Sequence, residues 1–282
     1  MSLRSRIFVI IICIVYQYTL LMSWYNSCMS FKHINLNLYE GGLFFKNIFA
    51  FFDREQPDVV SLQEVFDGKD SGLAENYRSL EILKNYFMGW EYYFAPEFML
   101  VGEQGKMEIG NAIFSRYPIT STVSNDFGIS YGEFSAHPPT GDFGTHPKNI
   151  QCCEIAIEGT TYTICNLHGI WGLDGGDSPE RLEMSRRIVD LVKGKKKLIL
   201  SGDFNLKPDT QTIRNIDNHL INVYGGELTT SFNLAHKNLE KYPGYATAVV
   251  DMVFASSDIV VLEKKVASDD VSDHLAFVIQ FE

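Results

Sequence analysis

The chain has 282 residues, a net charge of -11 and an apolar fraction of 45%, enough for one large α/β domain or two small ones with an ordinary packed core. Such acidity argues against a protein that grips nucleic acid by phosphate neutralisation alone, because that needs clustered Lys and Arg. A phosphate substrate on this chain would call for a bound cation to reverse the local field.

Arg4 and Arg6 precede an uncharged stretch from Ile7 to Met22 that is apolar apart from residues such as Gln17. It falls short of the roughly 20 residues of a comfortable membrane span, and no A-x-A-like cleavage site follows it. A dispensable extension, an anchor and a secretion signal all fit residues 1–28, and residues 29–282 form one expected domain. The expected location is cytoplasmic, with a membrane-anchored or secreted form through residues 1–28 as the alternative.

Phe31–Leu38 reads as the first strand and Leu43–Phe52 as the first helix, from β-branched enrichment, alternation and flanking turn residues. A strand follows at Asp58–Leu62, a helix at Asn76–Tyr86, and strands at Glu91–Phe94 and Gly110–Phe114. Gln151–Ile157 and Thr161–Leu167 flank the hairpin signal Glu158-Gly159. Pro179–Lys193 has the clearest helical signature, with Ser178 as N-cap and Pro179 at the first position. Lys197–Leu200 is a strand and Asp209–Asn218 a helix. Strands at Ala248–Phe254, Val260–Val266 and His274–Phe281 complete the chain. Many strands with few helices predict two sheets packed face to face with helices outside. The long loops Asp67–Asn76, Ser124–Asn149 and Tyr224–Ala246 are expected to rim a substrate site.

Five cysteines, Cys13, Cys28, Cys152, Cys153 and Cys165, form no C-x-x-C pair. Cys152 and Cys153 are neighbours in a strand, point to opposite faces and cannot easily join each other. All five are read as free thiols, which suits a reducing compartment.

The strongest local signal is the apolar run from Lys197 that ends in Ser201-Gly202-Asp203-Phe204-Asn205. Glycine permits close approach, and alternation puts Asp203 and Asn205 on one side. A bare G-D-x-N is more often a polar turn, but the pattern recurs. Pro57 to Glu64 is a second apolar strand ending in an acid, and Asn35-Leu36-Asn37 precedes the Gly41-Gly42 turn. Asp251 stands inside an apolar strand, where an unpaired carboxylate is costly. Ser272-Asp273-His274 opens the last strand and Asn166-Leu167-His168 closes the hairpin.

These blocks resemble the endonuclease/exonuclease/phosphatase superfamily, the fold of DNase I. The pieces are I-N-L-N37, S-L-Q-E64-V, G-N111-A-I-F-S-R116-Y-P-I, N-L-H168-G, S-G-D203-F-N205, V-D251-M-V-F and S-D273-H274, in order over Phe31 to Glu282. The resemblance implies a four-layer αββα sandwich of two mostly antiparallel sheets and a Mg2+- or Mn2+-dependent hydrolase of phosphoric esters. It implies Glu64 as principal metal ligand with Asn37 and Asp273 in support, a set of hard oxygens suited to such a cation. Asp203 and His274 would orient or deprotonate the attacking water, with Asp251 fixing the tautomer of His274. Asn205 would hold a phosphate oxygen or the water, and His168 would donate to the phosphate or leaving oxygen.

N-L-H168 is unlike the tyrosine-proline of abasic-site endonucleases, and the first block lacks the T-W-N of tyrosyl-DNA phosphodiesterases. The expected partner is a phosphate-ester substrate, either a nucleic acid or a small-molecule or lipid headgroup, with no obligate protein partner and a monomeric state. The rival is a catalytically silent binding protein on the same fold. Asn111 is divided between a substrate contact and a turn role, and Arg116 between a substrate phosphate and an internal pair. His137 and His146 read as loop histidines, Trp171 as a stacking or rim residue, and Lys193–Lys197 as a solvated helix end.

Overall fold

A computed structural model describes residues 30–135 and 143–282, so residues 1–29, with Cys13 and Cys28, and His137 lie outside the described residues. Among the described residues thirteen strands run in chain order: β1 (Phe31–Asn37), β2 (Val59–Asp67), β3 (Glu91–Gly102), β4 (Gly105–Ser115), β5 (Ile119–Asp126), β6 (Glu133–Ser135), β7 (Asn149–Ile157), β8 (Thr160–His168), β9 (Leu198–Asp203), β10 (Ile221–Asn222), β11 (Asp251–Ala255), β12 (Val261–Ala267) and β13 (Ala276–Phe281). The α-helices are α1 (Phe45–Glu55), α2 (Ser79–Tyr86), α3 (Pro179–Val192) and α4 (Gln211–Asp217). Among the described residues no helix is long and apolar enough to cross a membrane.

The strands form two sheets, in the orders β12-β13-β1-β2-β4-β3-β6 and β10-β11-β9-β8-β7-β5. Both are mixed and mostly antiparallel; β1 with β2, β3 with β6, and β8 with β9 are the parallel pairs. Three apolar clusters separate four layers. Ile34, Leu36, Val60 and Leu62 meet Ile48 and Phe52 of α1 and Leu83 of α2 on the outer side of the first sheet. Phe31, Val59, Ile113, Ile164, Ile199 and Phe277 fill the space between the sheets. Leu198 and Leu200 turn the other way, onto Met184 and Ile188 of α3 and Ile213 of α4. The central strands are apolar on both sides because both sides are covered. The expected αββα sandwich is the observed one.

Several elements differ in extent. β3 and β4 are a long hairpin that continues well beyond Phe94 and begins well before Gly110. β5 stands where no strand was expected, and β6 lies inside the supposed loop Ser124–Asn149. Both flank sheets as edge or near-edge strands, and a mostly exposed β5 needs no apolar face to declare it.

The cysteine reading is corrected. Cys152 and Cys165 are joined in a disulfide, and Cys153 is the free, buried cysteine of the described residues. The two-residue hairpin turn pairs Ile157 with Thr160, and counting back places Cys152 directly across from Cys165. Such facing positions bring side chains within a few ångströms. The register was computable from Glu158-Gly159, and the inference of a reducing compartment loses its basis.

α3 shows how local sequence serves the site. Ser178 accepts from the Arg181 backbone N–H at 3.3 Å and Pro179 fills the first turn, a cap that contributes about 1 kcal/mol. The buried Arg181 side chain then donates to the carbonyls of Ile170 and Gly176, pinning the Trp171–Gly175 segment beside the strand ends.

Candidate active site

Residues from both sheets converge at one end of the sandwich, around a cavity of about 680 Å3 whose lining includes Glu64, His168, Asp203, Asn205, Asp273 and His274. Asn37 is the last residue of β1 and Glu64 lies near the end of its parallel neighbour β2. Pairing of β2 with β4 slips between Leu62 and Val65, so Glu64 sits on a bulge with φ +57°. Bulges re-aim side chains, and this one presents the Glu64 carboxylate to Asn37, whose Nδ2 donates to Oε1 at 3.2 Å. The Glu40 backbone N–H holds the other oxygen at 2.7 Å.

The second sheet supplies Asp203 and His168 from parallel partners β9 and β8, where they stand side by side. Gly202 makes that pairing possible, since a Cβ there would meet the Leu167 carbonyl oxygen at 2.1 Å. Asn37 Nδ2 also reaches Asp203 Oδ2 at 3.2 Å, linking the sheets. Asn205, at φ +54°, donates its backbone N–H to Asp203 Oδ1 at 2.8 Å and its side-chain amide to the Gly169 carbonyl.

Asp251 is directly across from Asp203 on β11. Its Oδ2 lies 2.8 Å from His274 Nδ1, and His274 Nε2 stands 4.0 Å from Asp203 Oδ2 and 3.9 Å from Asp273 Oδ1. Burial alone would lower the His274 pKa, but Asp251, Asp273 and Asp203 outweigh it and raise the value to about 10. Burial and the Asp251 charge push Asp203 up, to about 7, against the opposing pull of His274. Ser272 ties this block to β1 by donating to the Asn37 carbonyl at 2.7 Å. Asp273 forms an ion pair with Lys237, which also lies over the Phe232 and Tyr245 rings.

Two participants escaped the sequence reading. Glu97, fully buried on β3, lies 3.2 Å from Lys148 Nζ and 3.8 Å from His168 Nδ1. Lys148 Nζ is 2.9 Å from His168 Nδ1. Burial, then the Lys148 and His274 charges, hold His168 well below the usual imidazole range. Burial raises Glu97 to about 7 despite Lys148. An acid inside Ala95-Pro96-Glu97-Phe98-Met99 is the same signal that singled out Asp251; ending the expected strand at Phe94 hid it.

Asn111 and Arg116 part company with the cavity. Asn111 is fully buried and donates to Glu97 Oε1 at 3.1 Å and Asn149 Oδ1 at 2.8 Å, so its amide is turned to Glu97 and the start of β7. Arg116 pairs with Asp58 at 3.4 Å and covers the Trp90 ring. β4 runs antiparallel to β2, which carries Arg116 to the end of the sandwich opposite Glu64. His146 lies against Phe98 and Phe134 with its Nε2 3.0 Å from the Ser135 carbonyl oxygen.

The donor set fits a hard divalent cation. Burial raises the pKa of Glu40 with Glu64 and Asp273 adding like-charge repulsion, and Asp251 adds to the rise at Asp203, a concentration of negative charge that a cation relieves. Asp203, Asp251 and His274 also bring donor atoms within 4.8 Å of one another. There Asp251 and His274 are bonded to each other at 2.8 Å, while the Glu64 and Asp273 carboxylates line the same cavity and the Asn37 amide oxygen accepts from the Tyr39 backbone N–H at 3.0 Å.

The sequence matches the Endonuclease/Exonuclease/phosphatase family over residues 34–274. The chain belongs to that family. Solved structures with this family's fold include an endonuclease/exonuclease/phosphatase from Beutenbergia cavernae, 18% identical, covering 90% of this chain and 72% of that one with a TM-score of 0.68. Bacteroides thetaiotaomicron mannosyl-6-phosphatase Bt3783 is 17% identical over 89% of this chain and 99% of its own, TM-score 0.64. D. rerio TDP2 complexed with a single-strand DNA product is 14% identical over 90% and 99%, TM-score 0.65. No curated protein sequence matches. At these identities the neighbours establish the fold, and the family's ordered motif blocks come from the chain itself.

Proposed function

We propose that residues 29–282 form a divalent-metal-dependent phosphoesterase that hydrolyses a phosphodiester or phosphomonoester by in-line attack of water. The observation that carries this is the convergence of Glu64 of β2, His168 of β8, Asp203 of β9 and His274 of the segment leading into β13, from both sides of the sandwich, on one cavity. Neighbours with a phosphatase and a DNA-product complex in their descriptions support the reaction class.

Asn37, Glu64 and Asp273 would hold Mg2+ or Mn2+, which supplies charge neutralisation at a phosphate oxygen. Asp203, poised near neutrality, takes the proton of the attacking water as its oxygen bonds to phosphorus. Asn205 holds Asp203 through its backbone N–H and bounds the space for the water. His274, kept protonated by Asp251, donates Nε2–H to a phosphate oxygen, a role that replaces the alternative of deprotonating water. His168 is neutral, so it donates a hydrogen bond and not its proton to the departing oxygen as the P–O bond breaks; the oxygen leaves as an anion and takes its proton from solvent. The Lys207, Lys237 and Lys241 side chains with Trp171, Tyr242 and Tyr245 line the same cavity and favour a phosphate carried on a small or single-stranded group over long duplex DNA.

Hydrolysis of bis-p-nitrophenyl phosphate, a single-stranded oligonucleotide and a mannose phosphate, each with Mg2+, Mn2+ or EDTA, tests the proposal. Metal-dependent, EDTA-sensitive turnover is expected. Activity on none of them with metal present sinks it.

A further inference from the structure

A second cleft of about 500 Å3 opens on the other side of Glu64 and His168, sharing Glu40, Glu64, His168 and Trp171 with the main cavity. Its origin lies in the unequal lengths of the sheets. Asn111 of β4 is bonded to Asn149, the first residue of β7, so residues 105–110 of β4 run past the end of the second sheet. Met107 and Ile109 lie on the same face as Ile113, which is covered by the second sheet; alternation requires it. Beyond the end of β7 that face instead builds a separate apolar cluster with Phe66, Phe98 and Leu100, and this cluster lines the cleft.

The two clefts meet at the phosphate centre and differ in chemistry. The main cavity carries Lys207, Lys237 and Lys241 on its rim. The second is lined by the contiguous apolar side chains of the Phe66 cluster, with Tyr77, Glu103, Gln104, His146 and Lys148 also on its wall, so beside its polar groups it offers a surface that an aliphatic chain can cover. Resting on the phosphoesterase reading, we propose that the cleft is a substrate subsite for an aliphatic chain, and that the enzyme's substrate class is a phosphodiester with an alkyl or acyl-bearing group on one ester oxygen and a polar group on the other. Continuity with the reacting centre supplies the argument for the occupant: a chain in the cleft is covalently attached to a phosphate at Glu64 and His168.

Two synthetic diesters, p-nitrophenyl methyl phosphate and p-nitrophenyl octyl phosphate, test this with Mg2+ or Mn2+. In each, water bonds to phosphorus, the bond to the aryl oxygen breaks, p-nitrophenolate leaves and the alkyl phosphate remains. Each methylene that enters the cleft raises kcat/KM about fourfold, equivalent to about 0.8 kcal/mol, so the octyl ester is expected to exceed the methyl ester at least tenfold. Leu100→Gln, or Met107→Gln should the first fail to fold, is expected to bring that ratio toward one. Calorimetry of octyl phosphate against methyl phosphate on the metal-free protein reads the cleft without catalysis, with tighter octyl binding expected and its loss in the variant. Equal turnover of the two esters with equal binding of the two phosphates overturns the subsite while leaving the phosphoesterase reading intact. Turnover of thymidine 5'-(p-nitrophenyl phosphate) above that of the octyl ester overturns the aliphatic assignment in favour of a base. Tight octyl binding with no ester hydrolysed keeps the cleft and removes the enzyme reading.

Discussion

Asp203 and Asp251 face each other directly across the antiparallel pair β9 and β11, and the His274 imidazole lies against both, bonded to Asp251 at 2.8 Å and 4.0 Å from Asp203. Two buried carboxylates sharing one histidine take different states. The one that is bonded fixes a proton on the ring, and the one that is not is left near neutrality to accept one. Asp203→Asn keeps the shape and removes the acceptor, so kcat is expected to fall about 10²–10⁴-fold with KM little changed. Steady-state kinetics on a p-nitrophenyl diester checks it, and a variant within threefold of wild type would remove Asp203 from the reaction.

Asp251→Asn acts through His274. The proposed role of His274 requires its protonated form, so activity is expected to be lost as pH rises through its pKa. With the Asp251 carboxylate in place that value is raised to about 10; with a neutral amide it drops toward the ordinary 6.5. The alkaline limb of the kcat/KM profile is therefore expected to move down in the variant by more than one pH unit. An unmoved limb assigns the proton elsewhere.

Glu64 faces the cavity on a left-handed bulge and holds Asn37, a geometry that suits a ligand more than a packing role. Saturating Mg2+ or Mn2+ stabilises a protein that binds it by about 2.7 kcal/mol at 100 times Kd. Differential scanning calorimetry should show a metal-dependent rise in Tm for the wild type and little for Glu64→Gln. Equal rises in both proteins place the cation away from Glu64.

His33 is fully buried between the sheets with Nε2 2.9 Å from Ser61 Oγ, and burial lowers its pKa to about 3. The unfolded chain protonates this ring near 6.5, so between about 6.5 and 3 the unfolded state holds more protons and stability falls with falling pH. The full contribution is present above the unfolded value, and at pH 4.5 about 2.7 kcal/mol of it is gone. Urea midpoints of the wild type and His33→Gln at pH 7.5 and 4.5 measure this. The wild type should lose more than the variant, and parallel losses would show that His33 is not held neutral.

The Cys152–Cys165 bridge closes a loop of 13 residues' separation, for which the chain-entropy account gives about 3 kcal/mol. Peptide mapping without reductant should recover the linked pair, and reduction should lower the urea midpoint accordingly. Recovery of both thiols alkylated from non-reduced protein contradicts the bond.

The ends of β1, β8 and β9 were legible because each is an apolar run that stops at an Asn, His or Asp, and a run buried on both faces announces itself in one dimension; the end of β2 was not, since that strand runs past the expected Leu62 and through Glu64 to Asp67. The four-layer arrangement followed from such runs together with the ordered motif blocks. Strand direction was not legible, and Arg116 shows why: S-R-Y-P follows an apolar run just as Glu64 follows Val59–Leu62, yet β4 runs opposite to β2 and delivers its last residue to the far end. Glu97 and Lys148 were hidden because β3 continues through Pro96 by way of an irregular pairing, a continuation that local propensity argues against. β10 is two residues long, too short for any periodicity to register.

The bond between Asn37 of β1 and Asp203 of β9 runs from one sheet to the other, and the bond between His274 and Asp251 joins the segment leading into β13 to β11 of the second sheet. The reacting groups thus straddle a seam instead of sitting on a single slab. Slippage of one layer against its neighbour by an ångström, with every strand still paired inside its own layer, is enough to separate acid from base. Mild heat, pressure or sub-denaturing urea should therefore silence turnover while circular dichroism still reports intact sheets.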